Sequence, residues 1–154
     1  MFPMKKILCT TDFSEPSVKG VEAAAEFAAQ YSTEVLLLHV VPPAHTLTPP
    51  AIPSGKVLEY YEDLTRFAQK SLDELIEEKF LKDVSASSKV VQGNPPDEIV
   101  RTASQEKVDL IVIATHGVTG WRRFMFGSVA EKVVRMAGCP VLTIPAPEKK
   151  GGSE

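Results

Sequence analysis

The residue types best suited to gripping an anion fall between positions 114 and 128. Gly117 follows the wholly apolar run Leu110-Ile111-Val112-Ile113-Ala114, and a glycine just past a strand lets the backbone approach a ligand closely or take a positive φ. After the nine residues Val118 to Phe126, Gly127-Ser128 opens a helical pattern. N–H groups at a helix start lack intrahelical acceptors and sit at the positive end of the peptide dipoles, so with the Ser128 hydroxyl they favour a phosphate. The same spacing also suits an ordinary loop with turn glycines and a serine cap, and spacing alone does not separate the two. Arg122 and Arg123 lie in the intervening loop, placed either to reach terminal phosphates or only to be solvated. Trp121, Phe124, Met125 and Phe126 make that loop unusually apolar; they must pack down or serve as a contact patch for a partner.

The remaining reactive side chains point to little chemistry. His39, His45 and His116 have no metal-ligand spacing and are expected to form no common site, and Cys9 and Cys139 are far apart without a CxxC or CxxH pattern, which predicts two buried, reduced thiols. No metal site and no catalytic residue is assigned. The formal charge of -3 gives no general attraction to nucleic acid, so any anion must be held locally. The N-terminal apolar run is too short for a signal peptide and no stretch approaches membrane-spanning length, so a cytoplasmic protein without a membrane partner is expected.

The elements that must position residues 114–128 follow from the apolar pattern. A chain of 154 residues with 44% apolar content has the size of a single domain with one sizeable core. Short apolar runs alternate with helical patterns, the signature of a largely parallel sheet covered on both faces. Ile7 to Thr10 is the first strand; Ser14 caps a helix with Pro16 in its first turn. Val35 to Val41 is an interior strand, apolar without alternation. Residues 42–55, with five prolines, suit an exposed loop. Val57, Tyr61, Leu64, Ala68, Leu72, Leu75 and Ile76 predict a long helix, Val84 to Val91 a half-exposed strand, and Pro95-Pro96-Asp97-Glu98 a further helix start. The helix from Ser128 carries Val129, Val133 and Met136 on one stripe with Gly138 as its C-terminal cap, and Val141 to Ile144 form a short last strand. The tail, 147–154, is expected to be disordered.

Strands one, two and four read as interior, strand three as an edge, and strand five is short, so the order 3-2-1-4-5 satisfies every strand with right-handed crossovers. Strands one and four are then neighbours whose helices leave on opposite faces. Thr11-Asp12 and Ala114 to Gly117 lie at the carboxyl ends of those strands, where ligands of doubly wound sheets bind.

With those positions in view, the segment resembles the nucleotide-binding signature of the universal stress protein family: a small residue, two others, Gly, nine residues, then Gly-Ser or Gly-Thr. Ala114, Gly117, Val118 to Phe126 and Gly127-Ser128 match in register. Lys6-Ile7-Leu8, Thr11-Asp12-Phe13-Ser14, Leu38-His39-Val40-Val41 and Cys139-Pro140-Val141-Leu142 are also similar to the family, so the likeness spans nearly the whole chain. It implies a Rossmann-like α/β domain of the adenine nucleotide alpha hydrolase-like kind over residues 1–146, binding ATP, ADP or AMP, with magnesium as a companion of the phosphates. It assigns Asp12 to the ribose and adenine side with Thr10 and Thr11 in the same turn, Val40 to the adenine edge through its backbone, and Gly117, Gly127, Ser128 and Val129 to the phosphates. The family usually has Gly where Ala114 stands; if that position needs a positive φ, a Cβ there costs about 1 kcal/mol.

The resemblance implies a regulatory, stress-response protein with weak ATP hydrolysis at most, paired as a homodimer through strand 141–144. Competing enzyme classes lack their motifs: no GxGxxG follows the first strand, and there is no GxxxxGKS or GxxxxGKT loop and no SGG-type loop. A phospho-receiver would need an aspartate where Gly93-Asn94 stands. A nucleotide-free protein working through a partner surface is the alternative.

Overall fold

Successive side chains on a strand face opposite sides of a sheet, and the apolar runs of this chain use both. Ile7, Cys9, Val35, Leu37 and Val112 join one buried cluster, and Leu8, Leu36, Leu38, Ile111 and Ile113 join the other. A strand buried on both faces must be sandwiched between helices.

The computed structural model describes residues 3–43, 46, 53–116 and 126–146. The expected tail 147–154 and most of the loop 42–55 lie outside the described residues. In chain order the elements are β1 (Lys6–Thr10), α1 (Glu15–Tyr31), β2 (Glu34–Val41), a 3-10 turn (Ser54–Lys56), α2 (Val57–Lys79), β3 (Ala86–Gln92), α3 (Pro95–Gln105), β4 (Leu110–Ala114), α4 (Ser128–Met136) and β5 (Val141–Ile144). The five strands form one sheet in the order β3-β2-β1-β4-β5 with every neighbouring pair parallel, as the apolar pattern required. Val21, Ala24 and Ala28 of α1 and Leu72 of α2 cover one face; Ile99 and Ala103 of α3 and Ala130 and Val133 of α4 cover the other. Among the described residues no helix is long and apolar enough to cross a membrane.

Local chemistry sets the ends of the helices. Ser14 is the N-cap of α1, its side chain accepting from the Ser17 N–H, with Pro16 in the first turn. Helix α2 buries Tyr61, Ala68 and Leu72, part of the predicted stripe. At the far end of the sheet the Asp109 carboxylate accepts the backbone N–H groups of Lys5 and Lys6 at 2.8 and 2.9 Å, which holds its pKa below the usual value.

Four expectations change. Strand β3 begins at Ala86 and runs to Gln92, because Val84 is used in a turn, its N–H donating to the Leu81 carbonyl. The buried stripe of α4 is Ala130 and Val133, while Met136 is 47% exposed: the helix ends there, beyond the part of the sheet it covers. Its C-cap is Ala137 in extended conformation, and among the described glycines only Gly93 has positive φ, so Gly138 is not a left-handed cap. Cys9 is buried in the core as expected, but Cys139 is only partly so; both are free thiols.

Candidate functional site

The parallel pairing of β1 with β4 covers only Ile7↔Leu110, Leu8↔Ile111 and Cys9↔Val112. Beyond it the strands part, since α1 follows β1 on one face and α4 follows β4 on the other. The gap is a cavity of ≈ 350 Å³, at the switch point of the strand order. Thr10, Thr11, Asp12, Val40, Ala114, Gly127, Ser128 and Val129 all line it. Gly117, with Arg122, Arg123 and the apolar residues Trp121, Phe124 and Met125, lies outside the described residues.

The Thr11–Ser14 turn is held by its own hydroxyls. The Thr11 N–H donates to the Leu38 carbonyl at 3.0 Å, carrying the β1–β2 ladder one step past the strand. The Ser17 hydroxyl donates to the Ser14 carbonyl at 2.9 Å, so at the 2.8 Å contact between Thr11 and Ser17 the Thr11 hydroxyl is the donor. Thr11 Oγ1 also accepts the Phe13 N–H at 3.0 Å. Asp12 Oδ1 accepts the Ser14 N–H at 3.0 Å and the Ser14 hydroxyl. Phe13 has φ 65, a left-handed conformation that costs a bulky residue roughly 1–2 kcal/mol.

At the facing wall Gly127 has φ -59, so it is not glycine for the sake of a positive φ. It is glycine because the chain is tight: its N–H donates to the Thr115 carbonyl at 2.5 Å, and a Cβ would stand 2.9 Å from that same oxygen. The Gly127 N–H is therefore spent on the protein, contrary to the expectation that it is open to an anion. The first bond of α4 is from the Glu131 N–H to the Gly127 carbonyl at 3.0 Å, which leaves the N–H groups of Ser128, Val129 and Ala130 without a helical acceptor. All three residues line the cavity. Ala114 is the last residue of β4, opposite Ile144, and is not among the residues with positive φ. Its Cβ carries no backbone strain.

Thr115 and His116, expected at the end of strand four, line the cavity, whereas Ser17, Ile99 and His39 line it without having been singled out for it. The two histidines thus share a cavity although no common site was expected; His45 lies outside the described residues. Among the described residues no group of three or more metal-ligating side chains occurs. His39 Nδ1 lies 2.8 Å from the Thr11 carbonyl and its ring packs on Phe13 with centroids 4.6 Å apart. Burial pushes its pKa down, against a smaller upward pull from the Thr11 carbonyl and Asp12. His116 is buried, with Nδ1 2.9 Å from Thr115 Oγ1, and among the described residues its Nε2 has no partner. The one available signal for His39 was its position as the only polar side chain between Val35 and Val41.

A parallel 3-2-1-4-5 sheet with a cavity at its switch point, walled by a hydroxyl-rich turn and a helix start, defines a doubly wound α/β protein. The chain belongs to the universal stress protein family, whose sequence profile matches residues 3–145. It is 35% identical over 147 residues to universal stress protein MJ0531 of Methanocaldococcus jannaschii, covering 95% of this chain and 85% of that one. The solved structure of MJ0577 from the same organism superimposes with a TM-score of 0.81 at 31% identity, covering 95% of this chain and 99% of that one. A universal stress protein of Archaeoglobus fulgidus, solved in complex with dAMP, shares the fold with a TM-score of 0.59 at 22% identity, covering 94% and 99%.

Proposed function

We propose that this protein binds an adenine nucleotide in the cavity between β1 and β4 and acts as a regulatory stress-response protein. The observation that carries the reading is the meeting of distant residues on one cavity: the Thr10-Thr11-Asp12 turn, Val40, and the three N–H groups at the start of α4 that have no acceptor within the helix. Those N–H groups, at the positive end of the helix, suit a phosphate. Asp12 suits ribose hydroxyls, and the apolar wall formed by Val40, Ile99 and Ile113 suits a base. The same fold in the Archaeoglobus fulgidus protein holds dAMP.

The nucleotide is ATP or, in its place, ADP or AMP, and magnesium would travel on the phosphates rather than in a protein cage. Asp12 is the one carboxylate lining the cavity among the described residues and is given to the ribose, which leaves any hydrolysis slow. The test is to denature the purified protein in acid, identify released nucleotide by its absorbance and retention, and titrate the stripped protein with ATP, ADP and AMP. Stoichiometric adenine nucleotide is expected. A folded, stripped protein that binds none of the three would end this reading and favour a nucleotide-free protein acting through a partner surface.

We also assign a homodimer paired antiparallel through β5. The even-numbered residues of β5 face β4, as the bonds from Ile111 N–H to the Pro140 carbonyl and from Thr115 N–H to the Ile144 carbonyl require; Val141 and Thr143 therefore turn their backbone groups to the open edge, and open edges pair. Leu142 beside them is 39% exposed. Thr143→Pro removes an edge N–H without touching the β4 ladder, so it should yield a folded monomer by sedimentation. A variant that keeps the dimer mass would place the contact elsewhere, and a wild-type monomer would remove it.

A further inference from the structure

His39 is explained neither by the fold nor by the residues assigned to the nucleotide. It is the single polar side chain between Val35 and Val41 of an interior strand, and it sits near the end of β2 where that strand meets the cavity. A carbonyl oxygen only accepts, so at the 2.8 Å contact with Thr11 the imidazole Nδ1 carries the proton. That carbonyl is the next acceptor of the β1–β2 ladder. In β2 the backbone groups of Leu38 face β1 and those of Val41 face β3, as the bonds from Thr11 N–H to the Leu38 carbonyl and from Gly93 N–H to the Val41 carbonyl establish. By alternation Val40 faces the β1 side, where β1 has already ended at Thr10. The imidazole takes the acceptor that the ladder would otherwise offer to the Val40 N–H.

The other face of the ring bears on Phe13, the residue forced into left-handed backbone immediately after Asp12. Left-handed backbone at a bulky residue persists only where its surroundings over-determine it. Here the Phe13 N–H is held by Thr11 Oγ1, the carbonyl of Thr11 by His39, and the Phe13 ring by the imidazole. Without His39 the turn would lose two of these restraints, and the Asp12 carboxylate would remain tied to Ser14, itself part of the turn.

We propose that His39 is a positioning residue of the nucleotide site, which locks the Thr11-Asp12-Phe13 turn so that Asp12 meets the ribose and leaves the Val40 N–H to the base. The proposal rests on the adenine-nucleotide reading above and names a role for a residue that does not itself bind phosphate or sugar.

The experiment compares ATP with 2′,3′-dideoxy-ATP by calorimetric titration of the wild type and of Asp12→Asn, His39→Phe, His39→Asn and His39→Gln. Hydrogen bonds from ribose hydroxyls to a carboxylate give the wild type a preference for ATP of about tenfold or more, and Asp12→Asn erases most of it. His39→Phe keeps a ring on Phe13 but loses the donor, and it should shrink the preference as Asp12→Asn does. His39→Asn, whose amide nitrogen stands where Nδ1 stood, should restore it; His39→Gln, one methylene too long, should not. Urea midpoints are recorded for each variant, and His39→Gln carries the test if His39→Phe does not fold. If His39→Phe and His39→Gln weaken both nucleotides equally and keep the wild-type preference, the positioning role is wrong while the nucleotide site stands. If the wild type binds neither nucleotide, the underlying reading falls and this one with it. If Asp12→Asn keeps the preference while the His39 variants lose it, His39 does not act through Asp12 and the proposal is overturned.

Discussion

Replacing Gly127 by alanine should lower ATP affinity about a hundredfold or more and destabilise the protein by about 1–3 kcal/mol. The added Cβ would stand 2.9 Å from the carbonyl oxygen of Thr115, a backbone atom that cannot swing aside as a side-chain end can. Thr115 in turn is tied to β5 by its N–H bond to the Ile144 carbonyl at 2.9 Å, so the yielding partner must be the start of α4. Moving that helix start displaces together the Ser128, Val129 and Ala130 N–H groups on which phosphate binding is argued to depend. Ser128→Ala is the control: it deletes one hydroxyl without moving the backbone and should cost tenfold or less, roughly one hydrogen bond. Titration calorimetry and urea denaturation of the two variants separate the effects. Unchanged ATP affinity in Gly127→Ala would mean that the start of α4 is not where the phosphates lie.

Ile111→Ala should cost about 3–5 kcal/mol, a large share of the roughly 5–15 kcal/mol that a domain of this kind possesses. Ile111 has no solvent exposure and sits in β4 between β1, opposite Leu8, and β5, opposite Val141. Its side chain joins the cluster under α3 and α4, so the neighbours are held by strands on both sides and cannot collapse into the void. Thermal unfolding should fall by about 10 °C. A loss below about 1 kcal/mol would contradict a close-packed layer between the sheet and these two helices.

Strand order was legible because burial writes itself into polarity: Leu110 to Ala114 and Val35 to Val41 are apolar because helices cover both faces of them, and Ala86 to Gln92 is mixed because it lies at an edge. The cavity followed from the order, and with it the Thr11-Asp12 turn. What stayed hidden was set by contacts across the fold. That Gly127 is required by the Thr115 carbonyl, and not by its own φ, depends on two backbone segments that no local pattern brings together. His39 could be seen as odd within its strand but not as the partner of a carbonyl 28 positions earlier. The misplaced cap at Gly138 came from reading a glycine by type alone, whereas α4 ends in extended backbone at Ala137.

The position of Cys9 gives the protein a built-in clock. Its sulfur belongs to the middle of the sheet, and burial pushes the thiol pKa up to about 12, so the reactive thiolate is suppressed until β1 leaves its neighbours. Cys139 is partly exposed, its pKa raised by burial and by Asp109, and it is expected to answer a disulfide reagent from the folded state. The slow phase of thiol labelling therefore counts openings of the central sheet, with the fast phase as its internal standard, and anything that fills the cavity beside β1 would be read out as a longer interval between openings.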